Sequence, residues 1–212
     1  WGTQVNGVQW LQPAPGGLLV ATGLDAWVMA GAGGAGSGIT PASESATAQE
    51  SNGFSRVIKP LKVGRDILYV GSLNSQVYDM EYNFWNNIYS GTDISVMSTH
   101  LFENYSIKSW AFAKQPAKIV WATRNDGRFL SLTFLKEQEL AGWARHDTNG
   151  LVVGNECATE STLDAAYFVV KRFIRGVNKW VYFIERMDNR TWIGSEDPFC
   201  VDCGLRLYQP MP

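Results

Sequence analysis

Short apolar runs, each followed by a polar break and a second apolar run, recur four times along the chain. They cover residues 18–22 with 26–29, 67–70 with 76–78, 119–123 with 128–132, and 167–170 with 180–184. Their first residues fall at 18, 67, 119 and 167, a period of roughly 50 residues. Runs this short, with β-branched and aromatic residues, suit strands, and the breaks suit hairpin turns. In the third pair, Asn125-Asp126-Gly127 supplies residues that accept positive φ. Beyond it Leu130, Leu132 and Phe134 fall on one face, with Phe129, Ser131 and Thr133 on the other.

Each pair is preceded by a further strand-like segment: 8–11, 58–61, 107–112 and 151–153. A fourth strand over 139–145 completes the third repeat. A hairpin repeat of this length, built up to about four antiparallel strands, has the size of a propeller blade. The pattern therefore predicts an all-β, propeller-like array of about four antiparallel blades, with units near 5–30, 56–82, 107–146 and 150–187.

Three stretches depart from the repeat. Residues 30–55 are rich in Gly, Ala, Ser and Thr and read as a long loop. Residues 79–105 read as an insertion with one or two short helices: Asp93 can cap, and Ile94, Met97, Leu101 and Phe102 recur at about helical spacing. Residues 191–212 form a turn-rich C-terminal tail, with a further strand pair expected near Cys200 to Tyr208.

The net charge of −2 over 212 residues, with no basic stripe, lacks the electrostatic footprint of a protein that grips nucleic acid. No apolar run approaches the 20 or so residues of a membrane span, so none is expected. The chain opens on Trp1, which reads as a fragment or a processed product, with further blades supplied from outside these residues. Three cysteines do not make a disulfide framework.

Candidate chemistry is weak at every motif. Gly31-Ala32-Gly33-Gly34-Ala35-Gly36 has the G-x-G-x-x-G form, but Gly38 and Pro41 oppose the helix that a dinucleotide site needs, and the segment reads as a loop. Cys200 and Cys203 form a C-x-x-C without a second ligand pair, best read as two cysteines flanking a β turn. His146-Asp147 has no accompanying serine-nucleophile signature and reads as a solvated turn, while His100, beside Leu101 and Phe102, reads as a hydrogen-bonded packing residue. Glu137 and Glu139 lie two apart on an expected strand and so share a face; paired carboxylates can cleave glycosides, but the flanks fit an exposed turn. Trp85, Tyr89 and Trp110 are read as wedges between blades rather than a sugar platform. No catalytic, cofactor-binding or metal-binding residue is assigned, and no cofactor is expected.

Specific strings then narrow the reading. Val5-Asn6-Gly7-Val8-Gln9-Trp10-Leu11, Gly17-Leu18-Leu19-Val20-Ala21-Thr22, Ala26-Trp27 and Ile39-Thr40-Pro41 open the series. Pro60-Leu61-Lys62-Val63-Gly64, Leu68-Tyr69-Val70, Asp93-Ile94-Ser95, His100-Leu101-Phe102 and Ile119-Val120-Trp121 continue it. The most distinctive block is Leu132-Thr133-Phe134 with Glu137-Gln138-Glu139, Gly142-Trp143 and Arg145-His146, followed by Val170-Lys171-Arg172 and Ile184-Glu185-Arg186. In order and spacing, over roughly residues 5–190, these resemble the tail nozzle (tail tubular protein B-like) components of short-tailed phages and prophages. The resemblance implies a propeller-based structural protein of the virion tail, not an enzyme. It would be assembled in the host cytoplasm as a ring, usually a hexamer, between a tail adaptor and tail tip or fibre proteins. Genomic DNA would pass through the ring without sequence-specific binding. The competing expectation is a carbohydrate-binding or carbohydrate-active β-propeller.

Overall fold

The computed structural model describes residues 6–14, 16–33, 37–49, 52–83, 85, 88–188 and 201–204. The fold is all-β, with four antiparallel sheets and a short helical piece. The first sheet is the meander β1 (Val8–Ala14), β2 (Gly17–Thr22), β3 (Ala26–Gly31) and β4 (Glu44–Gln49). The second is β5 (Leu61–Val63), β6 (Asp66–Val70), β7 (Val77–Asn83) and β8 (Ile88–Asp93). The third is β9 (Ile107–Ala113), β10 (Ile119–Arg124), β11 (Phe129–Leu135) and β12 (Leu140–His146). The fourth holds β13 (Leu151–Glu160), β14 (Leu163–Ile174) and β15 (Lys179–Arg186). Each hairpin expected from the repeat is present: β2–β3, β6–β7 and β10–β11 as the central pairs of their sheets, and β14–β15 as the last pair of the fourth.

The chain divides into two compact units, residues 1–108 and 109–212. In the first unit, Leu19, Ala21, Ala26 and Val28 of the first sheet meet Ile67, Tyr69, Tyr78, Met80 and Tyr89 of the second, with Phe54 between them. Tyr69 is fully buried, its ring stacked between Phe54 at 4.2 Å and Tyr78 at 5.2 Å. Gly91 on β8 is required by that ring, because a Cβ there would collide with the Tyr69 hydroxyl. Polar ties reinforce the packing: Trp10 Nε1 donates to the Ser55 carbonyl at 2.6 Å, and the Tyr89 N–H donates to Gln49 Oε1 at 2.6 Å. In the second unit, Trp121 on β10 and Ala113 on β9 pack against Val152, Ala166, Phe168 and Val170 of the fourth sheet. Trp121, Phe129 and Phe168 form an aromatic knot with centroids 4.8–6.0 Å apart. Rings on facing sheets reach across the roughly 10 Å between them, so few residues fill much volume.

Two expectations about the interruptions are corrected. Within the segment read as a loop, residues 44–49 form β4, paired along β3 from Ala26↔Gln49 to Gly31↔Glu44. Its small polar sequence has little propensity of its own; the open edge of β3 supplies the ladder that holds it. The segment read as an insertion over 79–105 contains most of β7 and all of β8, and its expected short helical piece is the 3-10 stretch Val96–Leu101, kinked at Ser98. Asp93 Oδ1 accepts from the Ser95 N–H at 2.7 Å and from its hydroxyl at 2.6 Å, so it shapes the approach while Ser95 holds the cap position. Ser98 breaks from helical φ/ψ inside the turn, which keeps it from lengthening into an α-helix. Leu101 and Phe102 are buried there, but Met97 is exposed. The residues that would carry a strand pair near Cys200 to Tyr208 lie, apart from 201–204, outside the described residues.

Candidate interaction surface

Strand burial differs sharply along the chain. On β6 and β7 every residue from Ile67 to Val70 and from Val77 to Met80 is buried, so both faces of these strands are covered. The same holds for 120–124 on β10 and for most of β11. The first and fourth sheets are buried on one face only.

Their uncovered faces carry large apolar side chains, joined on the fourth sheet by Glu156, which pairs with Tyr167 on the same face. In the first sheet the register places Leu11, Val20, Trp27 and Ala48 in one row across the four strands, and Pro13, Leu18, Met29 and Ala46 in the next. All eight are exposed or half-buried. In the fourth sheet, Val169 pairs with Ile184, Lys171 with Tyr182 and Phe173 with Trp180. Ile184 is 78% exposed, Tyr182 59%, Trp180 49% and Phe173 44%. Lys171 Nζ lies over the rings of Trp180 and Tyr182, at 5.3 and 5.7 Å from their centroids, which fixes its charge in the middle of the apolar face. At the far end of this face Arg186 grips the Glu160 carboxylate at 2.7 and 3.0 Å, and Tyr167 donates to the same carboxylate.

Elsewhere the buried polar groups serve as ties between strands. Asn155 on β13 accepts from Ser109 Oγ at 2.9 Å and Thr123 Oγ1 at 2.8 Å, and its Nδ2 donates to the Trp121 carbonyl at 2.9 Å. Arg172, itself buried, donates to Glu185 at 2.5 and 2.7 Å, to Asp202 at 2.9 Å and to Thr148 Oγ1 at 2.8 Å. The Arg172 hydrogen bond pulls the Asp202 carboxyl down to about 2 against the opposing effect of partial burial; the Thr148 hydroxyl and Asn149 N–H add to it. The hydrogen bond to Glu185 in turn raises the Arg172 guanidinium further above its usual range. This network anchors residues 201–204 to the fourth sheet.

After Gly31 the described residues 37–40 are not helical, so none of them begins a helix toward the glycines; residues 34–36 lie outside the described set. Cys203 sits exposed at a turn with φ of 59°, and Cys200 lies outside the described residues. His146 is not a solvated turn: it is the last residue of β12, stacked 5.1 Å from Phe129, with Nε2 2.7 Å from Ser131 Oγ. A serine bonded to imidazole is the starting geometry of nucleophilic catalysis. Ser131, however, is buried in the middle of a central strand whose backbone is committed to ladders on both sides, and the pair acts as a cross-strand clasp. His100 is exposed, not a packing residue, because the 3-10 turn directs Leu101 and Phe102 inward instead. Glu137 and Glu139 do not share a strand face: Lys136–Gln138 is a 3-10 turn and Glu139 follows it at φ 53°. Tyr89 is buried between the first and second sheets and Trp110 is buried on β9, whereas Trp85 is 91% exposed. The two apolar outer faces were not singled out from the sequence, although the unbroken apolar runs 18–21 and 26–30 carry the signal.

Among the described residues no three His, Cys, Asp or Glu side chains converge as metal ligands, and no helix is long and apolar enough to cross a membrane. A shallow cavity of about 230 Å³, lined by Asn52, Ser72, Ser75, Gln76 and Tyr78 among others, is polar. Comparison with protein-family models gives no match, and no curated protein is significantly similar to the chain.

Proposed function

We propose that this chain is a structural subunit of a phage tail, a nozzle-type conduit component that assembles with copies of itself as a ring. The observation that supports this reading is the pair of uncovered apolar faces on the first and fourth sheets, which suits a protein completed by contact with neighbours. Hydrogen-bonded ladders and packed aromatic knots give a stiff wall. A duplex passing through such a wall must not be held, since clustered Lys and Arg would bind phosphate and retard it; a net charge of −2 is compatible with free passage. Its other partners on this reading are a tail adaptor, a tail tip or fibre protein and the passing genomic DNA, and its place is the virion tail. Negative-stain images of the purified full-length protein test the proposal: rings with a central hole are expected, and a monodisperse monomer at every concentration refutes it.

A carbohydrate-binding propeller is the second reading, favoured by the exposed rings of Phe173, Trp180 and Tyr182 on one flat face. It requires binding of host polysaccharide that Trp180→Ala abolishes.

A further inference from the structure

The outer face of the fourth sheet is polar at one end and aromatic at the other. Register sets Glu156, Tyr167 and Arg186 in one row. Arg186 and Tyr167 both bond the Glu160 carboxylate, and Asp188 lies 4.0 Å from Arg186, so the polar end sets three carboxylates against one guanidinium. At the aromatic end Lys171 pairs with Tyr182 and Phe173 with Trp180. Tyr167 and Lys171 are four residues apart on β14, about 13 Å of strand and more than a Debye length at physiological salt, so the carboxylates of the polar end act on Lys171 weakly. Between Asp164 and Glu185 the hairpin carries Lys171, Arg172, Arg175 and Lys179 and no acid. Arg172 is turned inward and held by Glu185 and Asp202, whereas Arg175 and Lys179 are exposed at the turn. Asp147 is exposed in the loop that leads into β13, and neither it nor any other carboxylate of the described residues forms an ion pair with Lys171.

The cation–π contacts restrict what the aromatic end can hold. The Lys171 ammonium sits over the Trp180 and Tyr182 rings because a ring face carries the negative part of the aromatic quadrupole. The C–H bonds on one side of a pyranose present the matching positive edge, and they need a flat, open ring, which half-exposed Trp180 offers. Phe173 meets Trp180 edge-on at 5.4 Å, which holds that ring in place. Lys171 then stands beside a stacked sugar as a cation with no carboxylate of its own, placed for an acidic group on that sugar. Nucleic acid fits this face less well. It carries a charge on every nucleotide, and a strand laid along β14 would run from Lys171 onto Glu156 and Glu160. A polysaccharide sets neutral hydroxyls between its acidic groups, and hydroxyls suit the Glu156 end, where carboxylate oxygens accept hydrogen bonds.

We infer that the aromatic end of the fourth sheet's outer face binds an acidic polysaccharide, with a sugar ring stacked on Trp180 and a sugar carboxylate paired with Lys171. The inference rests on the glycan reading, which it narrows to uronate-bearing chains, and it is independent of ring assembly. Val169 and Ile184, in the next row of the face, lie outside the site. The site is open and its ion pair exposed, so binding is weak and salt-sensitive.

The test is calorimetric titration of the full chain with short oligogalacturonate, with dextran oligosaccharide of the same length and with oligo(dT). Oligogalacturonate is expected to bind about two- to five-fold more tightly than the dextran fragment, and the gap is expected to close as salt rises from about 50 to about 500 mM. Lys171→Gln is expected to remove that preference and Lys171→Arg to keep it. Trp180→Ala is expected to weaken both sugars at least about ten-fold. Both positions lie on the outer face, away from the core, and circular dichroism confirms that each variant folds. Equal binding of the two sugars, lost in Trp180→Ala, overturns the inference and leaves the glycan reading standing. Binding of neither sugar overturns both. Tighter binding of oligo(dT), or an acidic preference unchanged in Lys171→Gln, also overturns the inference. Negative-stain images of the same protein without sugar decide the conduit reading separately.

Discussion

Asn155 is the polar bolt of the second unit, and its removal gives the most direct test of how the third and fourth sheets are held together. Its side chain makes three hydrogen bonds, two accepted from Ser109 and Thr123 and one donated to the Trp121 carbonyl. Thr123 is completely buried, so its hydroxyl has no water to replace the lost acceptor. Each bond contributes about 1 kcal/mol net, and a stranded buried partner costs about 1–3 kcal/mol. Asn155→Ala should therefore destabilise the second unit by about 3 kcal/mol, since only part of the stranded-partner cost adds once neighbours relax. With a urea slope of about 1–3 kcal/mol/M, the transition midpoint moves down by about 1–3 M. The discriminating measurement is a double-mutant cycle between Asn155→Ala and Thr123→Val, followed by tryptophan fluorescence in urea. The pair should couple by at least about 0.5 kcal/mol, because removing the Thr123 hydroxyl relieves the cost of leaving it unpaired. A single-mutant cost below about 1 kcal/mol, or strict additivity, would falsify the account and leave the apolar knot around Trp121 as the whole of the attachment.

Three further outcomes follow from local geometry. Gly127 has φ of +82°, and a Cβ there would sit 2.8–3.1 Å from Leu151, so Gly127→Ala should cost about 1–3 kcal/mol and lower Tm by several degrees; an unchanged Tm contradicts it. The Asp202 carboxyl, lowered from 3.8 to about 2 chiefly by its Arg172 hydrogen bond, lends stability that is present above the unfolded value and lost as pH falls through about 2. The gap in Tm between wild type and Asp202→Asn should accordingly close between about pH 4 and 2; it should be modest, because the carboxylate is half exposed and screened, and a pH-independent gap refutes the assignment. Partial burial, with Glu156 and Asp164 nearby, pushes the Cys157 thiol up from 9 to about 12, so peptide-resolved alkylation at pH 8 should run at least about ten-fold slower at Cys157 than in the urea-unfolded chain, and equal rates would exclude that placement.

How much of this was legible in the sequence depends on whether local chemistry or long-range pairing decides the element. The central hairpins were readable because alternation along 129–134 and the Asn125-Asp126-Gly127 turn specify strand and reversal locally. β4 was not, because the residues of 44–49 have no strand preference until β3 offers them an edge. The Ser131–His146 clasp depends on register, since position 129 must face 146, and the Asn155 hub depends on β13 packing against β9 and β10 of the third sheet, before either set of side chains can meet. A spacing rule on one strand cannot supply that. The same limit misplaced Glu137 and Glu139, where the left-handed residue after a 3-10 turn rotates one carboxylate away from the face an unbroken strand would share.

On the proposed reading, the uncovered faces are where residue chemistry stops specifying the fold and begins to specify contact. The residues of 18–21 are apolar at every position, and a strand apolar on both faces needs two covering layers. The chain supplies one such layer for the first sheet, through Tyr69 and Met80, and one for the fourth, through Trp121. A repeat array that ends in water caps its last faces with polar residues. In each unit, taken by itself, the uncovered face instead carries large apolar side chains: Leu11 and Trp27 in the first, Trp180 and Ile184 in the second. Polar side chains at those positions would leave either core untouched, which is why the proposed reading assigns them to contact with a neighbour. Conversely, whatever covers them binds the folded chain and not the unfolded one, and so raises its stability with concentration. Melting curves at increasing protein concentration should shift upward for wild type and stay fixed for Ile184→Glu, whether or not the assembly closes; a wild-type Tm independent of concentration would mean that these faces meet nothing.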